Sequence, residues 1–477
     1  MLFDSPVYFV FLIPVVLAYW RLGHRAQNIF LLLASYFFYG WWDWRFLALM
    51  IGATTADFFI AHKVVPGQPD SERKKWLIFS LVLNLTILGI FKYFNFFADS
   101  FADVLDRIGF HHIPLPLIRI LLPPGISFYT FEEIAYIVDV YKGRVQPSKS
   151  FLDYSLFISL FPHLIAGPIQ RPGSLLPQIQ KPRSFDGDEF FSGLMLIFSG
   201  LVRKCVVADN CGLLANMAFG GQWGPPDFWV VLIGVYAFAW QVYGDFSGYT
   251  DIARGSAQLM GFHFVVNFRQ PYLSQSLQDF WRRWHISLST WLRDYLYFPL
   301  GGNRGGTWKT YRNLLTTMVL CGLWHGANWT FAAFGAIHGV IMSVERSFFP
   351  LRNEEADAAR PGLHPSFLSI WGRRILTFNI LCLSLIVFRS PSLTSAVKFL
   401  GGLFHYAWRN EYAAALTMLC SFSIPLFLVD LFLESRNEEY AFAEAPYAIR
   451  TALAIIAVVV LAIFSAGKFS TFIYFQF

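Results

Sequence analysis

Apolar runs near the length of a bilayer span, separated by short loops, fill almost the whole chain. They lie at 6–20, 28–42, 45–61, 76–97, 152–170, 190–208, 228–245, 313–324, 329–344, 371–388, 413–433 and 449–466. A helix of about 20 apolar residues crosses the hydrocarbon core. The chain is 55% hydrophobic and 14% charged, with a mean hydropathy of +0.46. A soluble domain carries about 25% charged residues. The pattern predicts an all-α polytopic membrane protein with about 11–12 transmembrane helices. Several runs are short or broken by glycine and proline. Such breaks survive at membrane depth only where protein or a water-filled cavity satisfies the freed backbone. An internal cavity is therefore expected, with amphipathic and re-entrant helices around it. No soluble domain or internal repeat stands out, so residues 1–477 read as one membrane domain.

The +6 charge and pI near 9.0 do not imply nucleic acid, because the basic residues collect in short loops. Arg21 and Arg25 follow the first run, and Lys63, Arg73, Lys74 and Lys75 follow the third. Positive loops stay cytoplasmic, which puts the N-terminus outside and Trp41, Trp42 and Trp44 at the outer interface. The first run lacks a basic leader region and a small-residue cleavage site, so it reads as a retained span. Cys205, Cys211, Cys321, Cys382 and Cys420 are scattered and form no CxxC pair. They read as buried small hydrophobes, and neither a disulfide framework nor a metal site is expected.

Residues 98–150 are broken by Pro114, Pro116, Pro123 and Pro124. Beyond them, Glu132, Glu133 and Asp139 lie among aromatics, either as the solvated face of an interfacial helix or facing a pore. The proline-rich stretch 161–185, with His163, Arg171, Lys181 and Arg183, reads as a connector. Asp245 and Asp251 fall in an apolar, glycine-rich stretch. Ionisable residues there are functional candidates, but pairing with a local arginine such as Arg254 or Arg269 is the preferred reading. Residues 350–370 read as an exposed polar loop.

Two histidines stand out. On one helix over 279–295, Arg282, His285, Ser289 and Arg293 make a polar stripe beside Trp281, Trp284, Leu288, Trp291 and Tyr295. This predicts an amphipathic helix at the membrane surface, with His285 at the border of its two faces. Arg304, Lys309 and Arg312 extend the positive field, which suits either an anionic ligand or anionic lipid headgroups. His325 sits in the apolar string TTMVLCGLWHGANW between Gly322 and Gly326. A neutral imidazole can take a proton from a hydroxyl. Two histidines are too few for a catalytic zinc site, and His338 reads as structural.

Several strings in combination resemble the membrane-bound O-acyltransferase superfamily. They are LPPGISFYTFEEIAYIVDVYKG, FPHLIAGPIQRP, GDFSGYTDIARG, NFRQPY, DFWRRWHISLSTWLRDYLYFPLGGNRGG, LWHGANWTF and the terminal FIYFQF. The resemblance is strongest to the bacterial branch with the alginate and peptidoglycan O-acetyltransferase subunits and the D-alanyl transfer protein of teichoic acids. It makes 121–339 the motif-rich catalytic core, followed by C-terminal helices over 340–477. It implies a ring of tilted helices around a thin centre, with a funnel from each face. It further implies that His325 is the catalytic base and His285 its support. Glu132 departs from the glutamine usual in that family.

The resemblance implies acetyl-CoA as donor, received on the basic surface of Arg282, Arg283, Arg293 and Arg304. It implies a bacterial inner-membrane protein that serves a periplasmic polysaccharide acetyltransferase subunit and contacts membrane lipid. A C-terminal tyrosine, here Tyr474 among Phe472, Phe475 and Phe477, becomes a candidate acyl relay, against the plainer reading of an aromatic interface anchor. The expected activity is O-acetylation of an exported polysaccharide such as alginate or peptidoglycan. Two alternatives remain: D-alanyl transfer to teichoic acid-like acceptors, and a transporter built on the broken helices and Asp245/Asp251.

Overall fold

The computed structural model describes residues 1–110, 119–348, 366–438 and 445–465, and among these every regular element is helical. Seven helices among the described residues are long and apolar enough to cross a membrane. They run over Trp44–Ala61, Asp70–Arg107, Gly187–Phe219, Phe228–Gln258, Phe367–Arg389, Glu411–Arg436 and Tyr447–Phe464. The chain is an all-α polytopic membrane protein. The apolar runs at 6–20 and 28–42 form shorter helices, Pro6–Tyr19 and His24–Gly40. The expected span at 152–170 is instead two short helices, Phe151–Ser159 and Phe161–Leu164. Leu160 leaves the helical conformation between them (φ −54°, ψ 113°). Pro162, which lacks an N–H, suits the first turn of the second. Most of the loop expected at 350–370 and the terminal FIYFQF lie outside the described residues.

Residue contacts divide the chain into two compact units. The first comprises Met1–Ile197 and Ile252–Val265. Its helix Ile126–Tyr141 is buried on almost every side. Glu132 and Glu133 are 1% and 0% exposed, so the solvated acidic face is corrected. Buried polar groups need partners, and each acid has one. Glu132 accepts the Gln170 N–H at 2.7 Å and lies 3.2 Å from His163 Nδ1, while Glu133 accepts from Thr54 at 3.0 Å. The Gly167 turn passes so close to His163 that a Cβ there would meet its Cα at 2.4 Å. The proline-rich connector is thus a packed structure that delivers His163 to Glu132.

The second unit comprises Phe198–Asp251 and Val266–Phe477. Its centre is a pair of helices, Thr307–His325 and Trp329–Phe348, packed backbone to backbone. A Cβ at Gly322 would meet the Phe331 carbonyl oxygen at 2.0 Å, and one at Gly335 would meet the Met318 carbonyl oxygen at 2.1 Å. Small residues permit this approach where helices cross in membranes. GDFSG works in the same way. A Cβ at Gly248 would meet the Gly200 carbonyl oxygen at 2.5 Å, and one at Gly244 the Arg203 oxygen at 2.8 Å. Between these glycines Asp245 reaches Lys204 at 2.8 Å, and Asp209 reaches the same ammonium at 2.8 Å. Asp251 lies 3.8 Å from Arg203. The two motif aspartates are paired, as preferred from sequence, with Lys204 and Arg203 as partners. Lys204 and Arg203 lie on a π-helical turn, Val202–Ala208.

Candidate active site

His325 ends the Thr307–His325 helix because Gly326 is fully extended (φ −163°, ψ 151°). The chain re-enters helix at once, with the Asn328 side chain accepting the Thr330 N–H at 3.1 Å. His325 is therefore held at a helix end between Gly322, which sits against the Phe331 backbone, and Gly326, which sits against the Phe331 ring. It is 5% exposed, with the Phe388 ring centre 5.6 Å and the Trp324 ring centre 5.1 Å away. Cys321, one turn earlier on the same face, puts its Sγ 4.0 Å from His325 Nε2. His325 lines an apolar cavity of about 30 Å³ with Tyr272, Trp281, Trp284, Leu385 and Phe388.

The single amphipathic helix expected over 279–295 is not formed. Helices Leu277–Arg283 and Ile286–Leu292 are separated at Trp284–His285, and a π-helical turn follows over Arg293–Tyr297. His285 has a left-handed backbone (φ 43°, ψ 54°) that no helix continues. A non-glycine residue held there signals strain that the surroundings enforce. Asn267 supplies the enforcement. Its carbonyl accepts the Ile286 N–H at 3.0 Å, and its side chain accepts the Ser287 N–H at 3.1 Å. The kink carries His285 off the polar border and into complete burial, 4.6 Å from the Phe246 ring. Burial, and secondarily the nearby His325, hold its pKa well below the ordinary imidazole value. Trp281, Trp284 and Trp291 are buried as well, not interfacial.

The helix before the kink is docked on the Trp329–Phe348 helix at two points. Glu345 accepts the Leu277 and Gln278 N–H groups at 2.7 and 3.2 Å, satisfying the helix N-terminus. Two turns earlier on Trp329–Phe348, His338 Nδ1 accepts the Trp281 indole N–H at 3.1 Å. His338 Nε2 then donates to Ser384 at 2.9 Å, and Ser384 donates to the Leu381 carbonyl at 2.7 Å. His338 is structural, as read from sequence. Its partners, and the role of Glu345, had no local signature.

The four arginines separate. Arg282, Arg293 and Arg304 are exposed. Arg293 is held by Asp294 at 2.8 Å. Arg283 is taken up by Asp279 at 2.9 Å and Glu434 at 2.8 Å, and Glu434 also binds Arg374 at 2.5 Å. Arg283 is therefore a tie between segments. Four of the cysteines are buried as expected, but Cys420 is exposed on the Glu411–Arg436 helix. Tyr474 lies outside the described residues.

The family model described as "MBOAT, membrane-bound O-acyltransferase family" matches residues 147–385, which hold both histidines. The chain belongs to the membrane-bound O-acyltransferase family. It is 42% identical over 410 residues to the Pseudomonas aeruginosa protein named "Probable alginate O-acetylase AlgI", covering 85% of this chain and 75% of that one. It is 35% identical over 435 residues to the Helicobacter pylori peptidoglycan O-acetyltransferase, covering 84% and 80%. Similarity to the Bacillus subtilis teichoic acid D-alanyltransferase is 28% over 298 residues, covering 58% and 70%. As a membrane-bound O-acyltransferase the chain is an enzyme, so the transporter reading falls away.

Acyl transfer to a hydroxyl needs a group that takes the hydroxyl proton and one that steadies the developing oxyanion. Of the two imidazoles, His325 lines the cavity and His285 is fully buried. The cavity walls are largely aromatic and apolar, and polar interactions are stronger in such surroundings than in water. The sequence singled out both histidines. It missed Trp281 and Tyr272 as cavity walls, because an aromatic in an apolar string carries no mark of what it faces.

Proposed function

We propose that this enzyme moves acetyl groups from cytoplasmic acetyl-CoA toward a polysaccharide outside a bacterial inner membrane. The observation that carries the reading is the 42% identity, over 85% of the chain, to a protein named for alginate O-acetylation. In this reading His325 removes the acceptor proton. The acceptor oxygen attacks the thioester carbonyl, the C–S bond breaks, and the proton passes to the leaving thiolate. His285, neutral in its apolar pocket, orients the thioester or donates to the oxyanion. Arg282 and Arg304 attract the polyanionic donor. The positive loops after the first and third runs support an external N-terminus.

A periplasmic acetyltransferase subunit is the proposed partner. Tyr474 is the proposed relay, accepting the acyl group as a phenyl ester before handing it outward. Transfer of D-alanine is the second reading, supported by the 28% identity over 58% of the chain to the teichoic acid enzyme. The test is radiolabelled acetyl-CoA supplied to inverted membrane vesicles holding the full chain and its partner. Label in polysaccharide is expected, and label from D-alanyl carrier protein instead would overturn the acetyl reading. Tyr474→Phe in the same vesicles should abolish polysaccharide label. Undiminished label would mean direct transfer.

A further inference from the structure

The cavity beside His325 is small, about 30 Å³. A second, larger recess of about 330 Å³ lies close by, lined by Trp240, Phe378, Trp371 and Phe427 among others. One side chain, Tyr272, lines both spaces. Its ring lies nearly parallel to, and offset from, Trp284 of the cavity wall (6.4 Å, 12°). It also contacts Phe378 (5.0 Å) and Trp240 (5.3 Å) of the recess. The Tyr272 hydroxyl donates to the Ala239 carbonyl at 2.5 Å, which fixes the ring across the boundary. Trp281 forms another wall and is fixed in turn by its bond to His338.

Size decides what this chamber accepts. At about 30 Å³ the cavity is far smaller than the recess of about 330 Å³, which suits a short acyl group such as acetyl. Longer chains would have to enter the recess, and Tyr272 bars the way. Close-packed aromatic walls do not yield to an extra methylene without strain.

We propose that Tyr272 is the specificity-determining partition of the acyl chamber: it restricts the enzyme to two-carbon acyl groups by separating the space at His325 from the neighbouring apolar recess. The inference rests on the thioester-donor reading above. It adds that chain length is set by one aromatic side chain, and that the room for a longer chain already exists behind it.

The experiment uses the purified full chain in nanodiscs and compares cleavage of acetyl-, butyryl- and hexanoyl-CoA. Each methylene a closed apolar pocket rejects is worth about 10–200-fold in kcat/KM. Wild type should therefore favour acetyl over hexanoyl steeply. Tyr272→Ala should reduce the acetyl-to-hexanoyl ratio by at least about tenfold, that is, by the lower bound for one methylene. Tyr272→Phe keeps the ring and should keep the acetyl preference. Tyr272→Leu serves if the alanine variant fails to fold, and should relax the ratio in the same direction. Leu385→Phe narrows the chamber and should depress acetyl cleavage without improving hexanoyl. An unchanged ratio in folded Tyr272→Ala or Tyr272→Leu overturns the partition alone. Absence of cleavage of every thioester by wild type, with or without the partner, overturns the donor reading itself.

Discussion

The indole N–H of Trp281 donates to Nδ1 of His338 at 3.1 Å, and through this bond a wall of the His325 cavity is fastened to the adjacent Trp329–Phe348 helix. An accepting Nδ1 requires the neutral tautomer with its proton on Nε2, which Ser384 receives at 2.9 Å. Removing the acceptor leaves a buried indole N–H unsatisfied, a cost of about 1–3 kcal/mol. His338→Ala should lower the melting temperature and loosen acyl selectivity with His325 still present. A variant with wild-type stability and selectivity would show that the bond does not hold the wall.

His325→Ala should reduce acyl transfer by about 10²–10⁴-fold, the usual contribution of a general base. The purified variant should still insert and fold, with at most the modest loss of stability expected from truncating one buried side chain. Transfer close to wild type by folded protein would remove His325 from the base role. Cys321→Ala, which removes the thiol 4.0 Å from Nε2, should cost far less, since a thiol is a weak donor.

His285 has a left-handed backbone and complete burial, which set two demands on a replacement. His285→Gly and His285→Asn suit the backbone and should fold with impaired transfer. His285→Val should fail to fold, because a β-branched residue resists positive φ. The lowered pKa also gives a pH dependence. Between the folded and unfolded pKa values the unfolded chain binds more protons, so stability rises with pH there. Stability should therefore fall as pH drops below about 6.5, the unfolded value, and the His285→Asn variant should lose that component. Identical pH profiles in thermal melts of the two proteins would contradict this.

Gly322→Ala and Gly335→Ala each place a methyl about 2 Å from a carbonyl oxygen across the helix pair. Overpacking of this kind costs at least about 1–3 kcal/mol. Both variants should lose stability and transfer together. Gly372→Ala, where a Cβ meets nothing within 4 Å, is the control. Equal melting temperatures for all three would refute the close-packed crossing.

Charge at the proposed donor surface can be separated from charge that holds the fold. Arg282→Glu with Arg304→Glu should raise the KM for acetyl-CoA, on the order of tenfold at low salt, with little loss of stability. Arg283→Glu should chiefly lower stability, because it sets a carboxylate against Asp279 and Glu434. Lys204→Met leaves Asp209 and Asp245 without their shared ammonium, and breaking such a buried pair costs about 3–5 kcal/mol. Kinetics and thermal melts on the same preparations would test all three.

The sequence by itself determined the helical membrane class and the membrane-bound O-acyltransferase family, and it singled out two histidines. Each is written in local chemistry: apolar runs set against short basic loops, motif strings, and imidazoles among apolar neighbours. Tertiary structure decided the rest. Periodicity drew one helix through 279–295, but Asn267 enforces a left-handed His285 from outside that window, and non-local hydrogen bonds outweigh helical propensity. Burial of Glu132 and Glu133 depended on His163, Gln170 and Thr54. Arg283 looked free for a ligand until Glu434, 151 residues away, claimed it. The partition at Tyr272 is a boundary between two spaces, and a boundary exists only once the segments on both sides have packed.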